Sequence, residues 1–527
     1  MKLPLGIQTF SEIRRRRLVY VDKTDYVHQL AHQYKFAFLS RPRRFGKSLI
    51  LSTLESYFRG ERALFEGLKL ERLESEWKQY PVVRLDLSRT NYSQPGQLRS
   101  TLPAMVEGVA TALGVEIEGK AEAGAMLGGL FTKLREQGKL VVLIDEYDKP
   151  LVNVLHDPEL FVENRKLLSE FYSVLKSFDA DIRFVMLTGI SRFAKLGVFS
   201  GLNNLYDVSL EADFTGIVGF TQEEMEENFA PYIENLRTAY RLTHAEMIDA
   251  LREWYNGYSW DGETRYYNPH SLLNVFQSRK LDNYWIRSAT PTFFYDYLLR
   301  EKLPPEVFTD PKTEDLVGYT RADGSVPLLP LLFQTGYLTI DRIERLGFDD
   351  FYHLRYPNQE VTRSFSTVTA AAYKQADISA VGATGSELKR ALYAHDLPRF
   401  YRVLQGYFAD IPARLHIESE RYYHSMTYFL FRMLDMRMLL EKEQSHGRLD
   451  AALELPEHVY IFEFKHETTQ RRRKPETLSK KALEQIHTAG YARAYLGDER
   501  PVTLVGLGFS DKIIHGRHEF FNKAGND

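Results

Sequence analysis

The sequence predicts an α/β protein of three domains: a parallel-sheet domain over residues 1–220, a helical domain compatible with a winged helix over 221–360, and a second α/β domain over 361–527. Three observations carry this. A length of 527 residues, at roughly 100 to 200 residues per domain, calls for about three. The first third alternates helical patterns with continuous apolar runs at Phe36–Leu39, Pro81–Leu87, Leu140–Ile144 and Ile182–Leu187, which is how strands covered on both faces read. The last third again mixes amphipathic stretches with apolar runs, at Val459–Lys465 and Val502–Gly508.

Taken in order, Lys47–Phe58 and Glu163–Phe178 read as helices between the first strands, so the first sheet is expected to be parallel and covered on both sides. From about Thr221 the texture turns helical and aromatic, with Trp254-Tyr255-Asn256-Gly257-Tyr258 and Tyr267-Asn268-Pro269. These rings are expected in a core rather than as base-stacking platforms. The Tyr356–Ser386 stretch, rich in Ser, Thr, Ala and Gly, is expected to hold the second boundary, followed by helices over Ser386–Tyr407 and Glu418–Glu441. A last helix, Leu478–Tyr495, lines up Leu478, Ala482, Ile486 and Ala489 on one face for packing on a sheet.

Composition narrows the chemistry. With 44% hydrophobic residues and 13% aromatics the chain is neither disordered nor fibrous. Having no cysteine, it excludes disulfides, thiolate metal sites and cysteine nucleophiles, and fits a reducing compartment. Met1–Phe10 lacks the apolar core of a signal peptide, and no stretch approaches the ~20 apolar residues of a membrane span, so a cytoplasmic protein with no membrane partner is expected. The net charge of -3 offers no global footprint for a polyanion. Divided at residue 360, however, 44 basic residues face 50 acidic ones in front and 24 face 21 behind. Any nucleic-acid footprint is therefore local and C-terminal.

Phe36–Leu39 leads through Ser40-Arg41-Pro42-Arg43-Arg44-Phe45-Gly46-Lys47-Ser48 into the helical Leu49–Leu54. Strand, loop, Gly-Lys-Ser and helix are the parts of a phosphate loop: backbone N–H groups across Arg44, Phe45, Gly46 and Leu49, the Lys47 ammonium for the β- and γ-phosphates, and the Ser48 hydroxyl for Mg²⁺. Arg41 occupies the place of the usual first glycine. Leu140–Ile144 ends in Asp145 and Glu146, suited to holding Mg²⁺ and to polarising an attacking water. After the next strand comes Thr188-Gly189-Ile190-Ser191-Arg192, where Arg192 either stabilises transition-state charge or forms a surface ion pair. The lobe is expected to bind ATP or GTP.

A second constellation lies near the C-terminus. Asp450 follows Gly447-Arg448-Leu449, and Glu463 and Lys465 stand two apart on an expected strand, sharing a face. Asp450 and Glu463 are hard oxygen ligands for Mg²⁺, and Lys465 can orient a nucleophile or stabilise a pentavalent phosphate. Glu443, near the end of the expected Glu418–Glu441 helix, offers a further ligand or base, and Gln485 either a hydrogen bond to a phosphate or a cap on the core. Gln470-Arg471-Arg472-Arg473-Lys474 supplies positive charge for a nucleic-acid backbone. His28 and His32 have helical metal-ligand spacing, but no third ligand is evident in the sequence.

With these residues assembled, the sequence resembles bacterial proteins that join an AAA-ATPase-like domain to a C-terminal PD-(D/E)XK nuclease-superfamily domain. The likeness rests on Tyr20–Thr24, Arg41–Leu49, Leu143–Asp148, Trp254–Tyr258, Tyr267–Pro269, Gln334–Leu338, Gly447-Arg448-x-Asp450, Glu463-Phe464-Lys465, Ala482–Ile486 and Tyr491. It implies a P-loop ATPase fold, a restriction-endonuclease-like fold and Mg²⁺-dependent chemistry in both lobes. The expected function is an ATP-binding, ATP-hydrolysing protein with a nuclease that cuts DNA or RNA, by analogy in defence or mobile-element biology. The alternative is a nucleotide-controlled binding or signalling ATPase whose nuclease-like lobe is silent. Without a clear arginine finger in cis, a homo-oligomer is plausible.

Overall fold

Strands β1 (Phe36–Ser40), β2 (Val82–Asp86), β3 (Leu140–Asp145), β4 (Ile182–Gly189) and β5 (Tyr206–Asp207) form the first sheet of the computed structural model, in the order β2-β3-β4-β1-β5 with every neighbour parallel. All residues of β1 and β3 are buried, which explains their lack of alternation. β4 stands between the two motif-bearing strands β1 and β3. The Lys47–Phe58 helix spans the expected residues. The expected Glu163 helix starts earlier, at Pro158, where the Asp157 carboxylate caps it by accepting the Leu160 N–H at 3.1 Å.

The structure describes residues 1–117, 122–192, 204–285, 294–295, 298, 305–308, 311–316, 327–412, 419–434, 437–444, 447–467, 474–510 and 512–522. The chain divides into two units: Met1–Thr290 with Pro311–Val361, and Pro291–Asp310 with Thr362–Asp527. Residues 221–290 and 311–360 of the middle region thus belong to the same unit as the first sheet. Its helices Gln222–Tyr240 and His244–Tyr255 each start at a reciprocal cap, Thr221 with Glu224 and Thr243 with Glu246. They bury Met225, Phe229, Leu251 and Tyr255 with Val19 and Val21 in one core. β6 (Lys312–Thr313), β7 (Thr339–Leu346) and β8 (Asp349–Arg355) add an antiparallel sheet in the order β6-β8-β7.

The second unit is built on β9 (Arg437–Gln444), β10 (Gly447–Glu454), β11 (Val459–His466), β12 (Val502–Ser510) and β13 (Ile513–Phe520), in the order β13-β12-β11-β10-β9. Only β11 and β12 run parallel, and the Pro475–Ala489 helix makes the crossover between them. That helix lies close on the sheet because β12 has no side chain beneath it: a Cβ on Gly508 would sit 2.2 Å from the Pro475 carbonyl oxygen.

Residues 359–374 and 378–393, which span most of the Tyr356–Ser386 stretch, are helical. Their hydroxyls bond back to carbonyls one turn earlier, as in Thr367 to Arg363 at 2.8 Å and Ser386 to Gly382 at 3.1 Å. The expected Ser386–Tyr407 helix is two, Ile378–Tyr393 and Leu397–Ala409, broken where His395 takes φ 54° and Asp396 caps the second. The expected Glu418–Glu441 helix ends at Arg432, and Glu443 lies on β9, because pairing with β10 from Arg437 to Gln444 overrides local helical propensity.

Candidate functional site

In the first unit the loop after β1 delivers its N–H groups onto the start of the Lys47–Phe58 helix. Gly46 caps that helix at φ 105°, a backbone conformation in which a side chain is strained, and the N–H groups that open a helix lack a carbonyl one turn back, although that of Leu49 reaches the Gly46 carbonyl at 3.0 Å. They border a cavity of about 610 Å³ lined by Arg43, Arg44, Phe45, Gly46, Lys47, Ser48 and Leu49, by Asp145 and Glu146, and on an apolar side by Val21, Phe220 and Leu273. One polar and one apolar wall suit a phosphorylated ligand carrying a flat ring.

Lys47 is buried and donates through Nζ to the carbonyls of Arg41 at 2.8 Å and Pro42 at 3.0 Å. Burial pushes its ammonium down to about 8, against the pull of Glu146, Asp145 and Asp148. Asp145, at the end of β3, accepts from the Thr188 hydroxyl at 2.8 Å, and its other oxygen lies 3.8 Å from Arg84. Next to it Glu146 has φ 50°, and burial raises its carboxyl while Lys47 and Lys149 oppose the shift. The sheet thus brings Lys47, Ser48, Asp145 and Glu146 to one cavity.

Arg192 is not among the residues lining this cavity. It donates from Nε and a terminal nitrogen to Asp207 at 2.9 and 2.5 Å, and both side chains are largely buried. Of the two readings of Arg192 the structure has the ion pair, inside rather than at the surface. Arg41, in the glycine's place, is likewise buried. Its guanidinium donates to the carbonyls of Ser40, Ser209 and Phe214 at 3.0, 2.5 and 3.2 Å and lies 4.1 Å from the Trp260 ring centre. It braces the loop and does not face the cavity. Phe45 packs edge-on against Tyr258 and Trp260, so middle-region aromatics hold the loop from behind.

Several residues escaped sequence reasoning. Tyr20, Lys23 and His270 line the cavity, and Lys23 is paired with Glu224 at 2.6 Å. Buried Asp148 accepts the N–H groups of Ile190 and Ser191 and the Ser191 hydroxyl, fixing the exit of β4. The signal for Tyr20, Lys23 and Asp148 was position within Tyr20–Thr24 and Leu143–Asp148, and His270 stands next to Tyr267–Pro269.

In the second unit Asp450 lies on β10, one step beyond the Ala451–Phe462 pair, and Glu463 and Lys465 lie on β11. Lys465 Nζ donates to Glu463 Oε1 at 2.9 Å. Asp450 accepts the Phe464 N–H at 2.7 Å through one oxygen, and its other oxygen is 3.0 Å from His424 Nε2. His424, on the Glu420–Arg432 helix, carries no signal in the sequence. Glu463 is 1% exposed, and its Oε2 is buried without a hydrogen-bond partner. Burial, with Asp450 adding to it, pushes this carboxyl up to about 7, and Lys465 and His424 draw it down.

An orphaned buried carboxylate oxygen between an acid and a lysine is what a hard dication would satisfy, so these residues fit Mg²⁺. Gln485, on the Pro475–Ala489 helix, interacts with Tyr491, which itself feels the charges of Glu463, Asp450 and Lys465. The backbone of Glu443 pairs with Arg448 on β10. The Gln470–Arg473 part of the basic run lies outside the described residues, and Lys474 caps the Pro475–Ala489 helix.

Residues 4–199 match a family model described as a predicted AAA-ATPase, and residues 418–519 match that of the PD-(D/E)XK nuclease superfamily. An uncharacterized protein from the vnfD 5′ region of Azotobacter chroococcum mcd 1 is similar over almost its whole length: 37% identical over 517 residues, 97% of this chain and 96% of the relative. No helix among the described residues is long and apolar enough to cross a membrane.

Proposed function

Because the chain belongs to the family that joins an AAA-ATPase-like domain to a C-terminal PD-(D/E)XK nuclease-superfamily domain, we propose that it is an ATP-binding, ATP-hydrolysing protein whose nuclease domain cuts nucleic acid, DNA in preference to RNA. Lys47 and the Gly46–Leu49 backbone hold the phosphates, Ser48 and Asp145 hold the nucleotide's Mg²⁺, and Glu146 orients water. In the nuclease domain Asp450 and Glu463 hold Mg²⁺, whose charge offsets that developing on the phosphate. Lys465 keeps Glu463 ionised and meets the phosphate, and Gln485 adds a hydrogen bond. Glu443 is a further candidate ligand or base.

The observation that carries this reading is Glu463: a carboxylate buried with one oxygen unpaired, a lysine on the other, and an aspartate adding to its charge burden. A purely structural strand would bury an apolar residue there at less cost. Since Arg192 is committed to Asp207, we assign the transition-state arginine to a neighbouring subunit and infer a homo-oligomer. The setting inferred is a cytoplasmic one, in defence or mobile-element biology, by analogy with other ATPase-nuclease fusions.

The test incubates the full chain with linear, circular and single-stranded nucleic acids, with and without Mg²⁺ and ATP. Cleavage that needs Mg²⁺ and is lost in Asp450→Ala supports the proposal, whereas cleavage surviving that change removes the site assignment. A second reading has its own observation. Both Asp450 oxygens already have protein partners, the Phe464 N–H and His424, as a lobe that binds nucleic acid without cutting it would tolerate. Salt-dependent binding with no cleavage in Mg²⁺ or Mn²⁺ would select it.

A further inference from the structure

His28 and His32 face one way along the Thr24–Gln33 helix, their rings stacked with centres 4.1 Å apart. The ligand their spacing lacked in the sequence comes from Glu74, just after the Lys69–Leu73 helix. Ligand atoms of His28, His32 and Glu74 all lie within 4.8 Å of one another. We propose that these three residues form a transition-metal site, selective for a borderline dication of the zinc type, that staples the Thr24–Gln33 helix to the segment following Lys69–Leu73.

The arrangement is built rather than incidental. His32 Nδ1 lies 2.9 Å from the His28 carbonyl oxygen. A carbonyl can only accept, so Nδ1 carries the hydrogen and the Nε2 of the neutral ring presents a lone pair. That lone pair looks at Glu74 Oε2 across 3.7 Å. Two acceptors facing each other call for a cation between them, and a backbone bond on the far nitrogen is how metal-binding histidines are usually oriented. Glu74 is itself held: its oxygens accept the Tyr57 hydroxyl at 2.5 Å and the Glu76 N–H at 2.8 Å, and its carbonyl accepts the Trp77 indole N–H at 3.2 Å.

A proton could bridge His32 to the carboxylate, but it would not draw in His28, whose ring has a hydrogen bond to the Leu73 backbone. Tetrahedral zinc, with bonds of about 2.0–2.1 Å, sets ligand atoms about 3.3–3.4 Å apart. The 3.7 Å pair needs only a small rotamer adjustment to reach that. The rest of the corner is preformed, since the Lys69 N–H donates to Asp22 at 2.7 Å, the Leu70 N–H to the Thr24 hydroxyl at 3.0 Å, and the Lys69 ammonium to Asp25 at 2.9 Å. Nitrogen donors and three ligands select against Mg²⁺, which prefers six oxygens. A fourth position would remain for water.

The experiment uses the tag-free full chain carrying Asp450→Ala and Glu463→Ala, so that the nuclease carboxylates cannot supply the signal. Zn²⁺ and Co²⁺ alone are titrated by calorimetry, and Co²⁺ is followed by its visible absorption. One equivalent should bind, unaffected by excess Mg²⁺, and raise the melting temperature. His32→Gln and Glu74→Gln should each weaken binding at least about a hundredfold, and Tyr57→Phe, which loosens Glu74, about tenfold. His28→Gln guards against a misfolded His32 variant. Absence of a bound equivalent, or an affinity unchanged in His28→Gln and His32→Gln proteins that melt normally, overturns the site. Either result leaves the nuclease reading untouched, since that is scored on protein with Asp450 and Glu463 intact.

Discussion

Lys465 donates to one carboxylate oxygen of Glu463 at 2.9 Å, and the other oxygen is buried with no hydrogen bond. The lysine is thus the chief local charge keeping this acid ionised against burial and against Asp450. Replacing Lys465 by Ala should lower Mg²⁺-dependent cleavage by at least about a hundredfold, the loss typical of removing one preorganised charge from an active site. ATP affinity should stay within about twofold. The carboxyl sits at about 7, and only its ionised form ligates metal, so Mn²⁺ binding to the wild-type nuclease site should weaken as the pH falls from 8 to 6. Calorimetric titrations at the two pH values check the sign.

Lys47 rests its ammonium on the carbonyls of Arg41 and Pro42, ready to exchange them for phosphate. Lys47→Ala should lower ATP affinity about ten- to a hundredfold, from loss of charge-assisted hydrogen bonds worth about 1.5–3 kcal/mol. Fluorescent-nucleotide binding measures this, and an unchanged circular dichroism spectrum would show that the fold is intact.

Arg41 occupies a position where glycine is the familiar choice, yet Arg41→Gly should damage the protein. Three carbonyls lose their donor and the Trp260 face loses its cation. The expected cost is about 2–4 kcal/mol in urea unfolding. Arg192→Ala should likewise reduce stability through its stranded partner Asp207 while leaving nucleotide affinity nearly unchanged, because Arg192 does not line the cavity.

Glu360 is 1% exposed and accepts hydrogen bonds from the Ser271 hydroxyl and the N–H groups of Tyr284 and Trp285. Burial pushes its carboxyl up to about 7 despite those donors. A pKa raised above the unfolded value means the folded chain holds a proton that the unfolded chain has released. This group's contribution to stability is therefore full below about 4.5 and is lost as the pH rises through about 7. Glu360→Gln should remove that slope, with a gain of order 2–3 kcal/mol at most at pH 8 and little change at pH 5. Thermal melts of the two proteins across that range would show parallel curves if Glu360 has no such role.

Much of the architecture could be read in advance where local sequence decides it. β1, β3, β11 and the Lys47–Phe58 helix stand where apolar runs and a Gly-Lys-Ser turn placed them, and Lys47, Ser48, Asp145 and Glu146 converge because parallel strands deliver their ends to one edge. What escaped depends on partners distant in the chain. Glu443 reads as helical until β10 pairs beside it, and His424 reaches Asp450 only through the packing of its helix. The break at His395 was within reach, since Asp396-Leu397-Pro398 is a readable helix start.

Phe45 and Arg41 lean on Trp260 and Tyr258, residues far along the chain from the phosphate loop they support. The consequence concerns where the chain can be cut. A fragment ending at residue 220 would retain every nucleotide-motif residue and still lack the aromatic backing of its loop, with a phenylalanine and a guanidinium newly exposed to water. Possession of the motif and competence to bind nucleotide would then part company, so for this chain the smallest functional piece is set by packing rather than by where the recognisable letters stop.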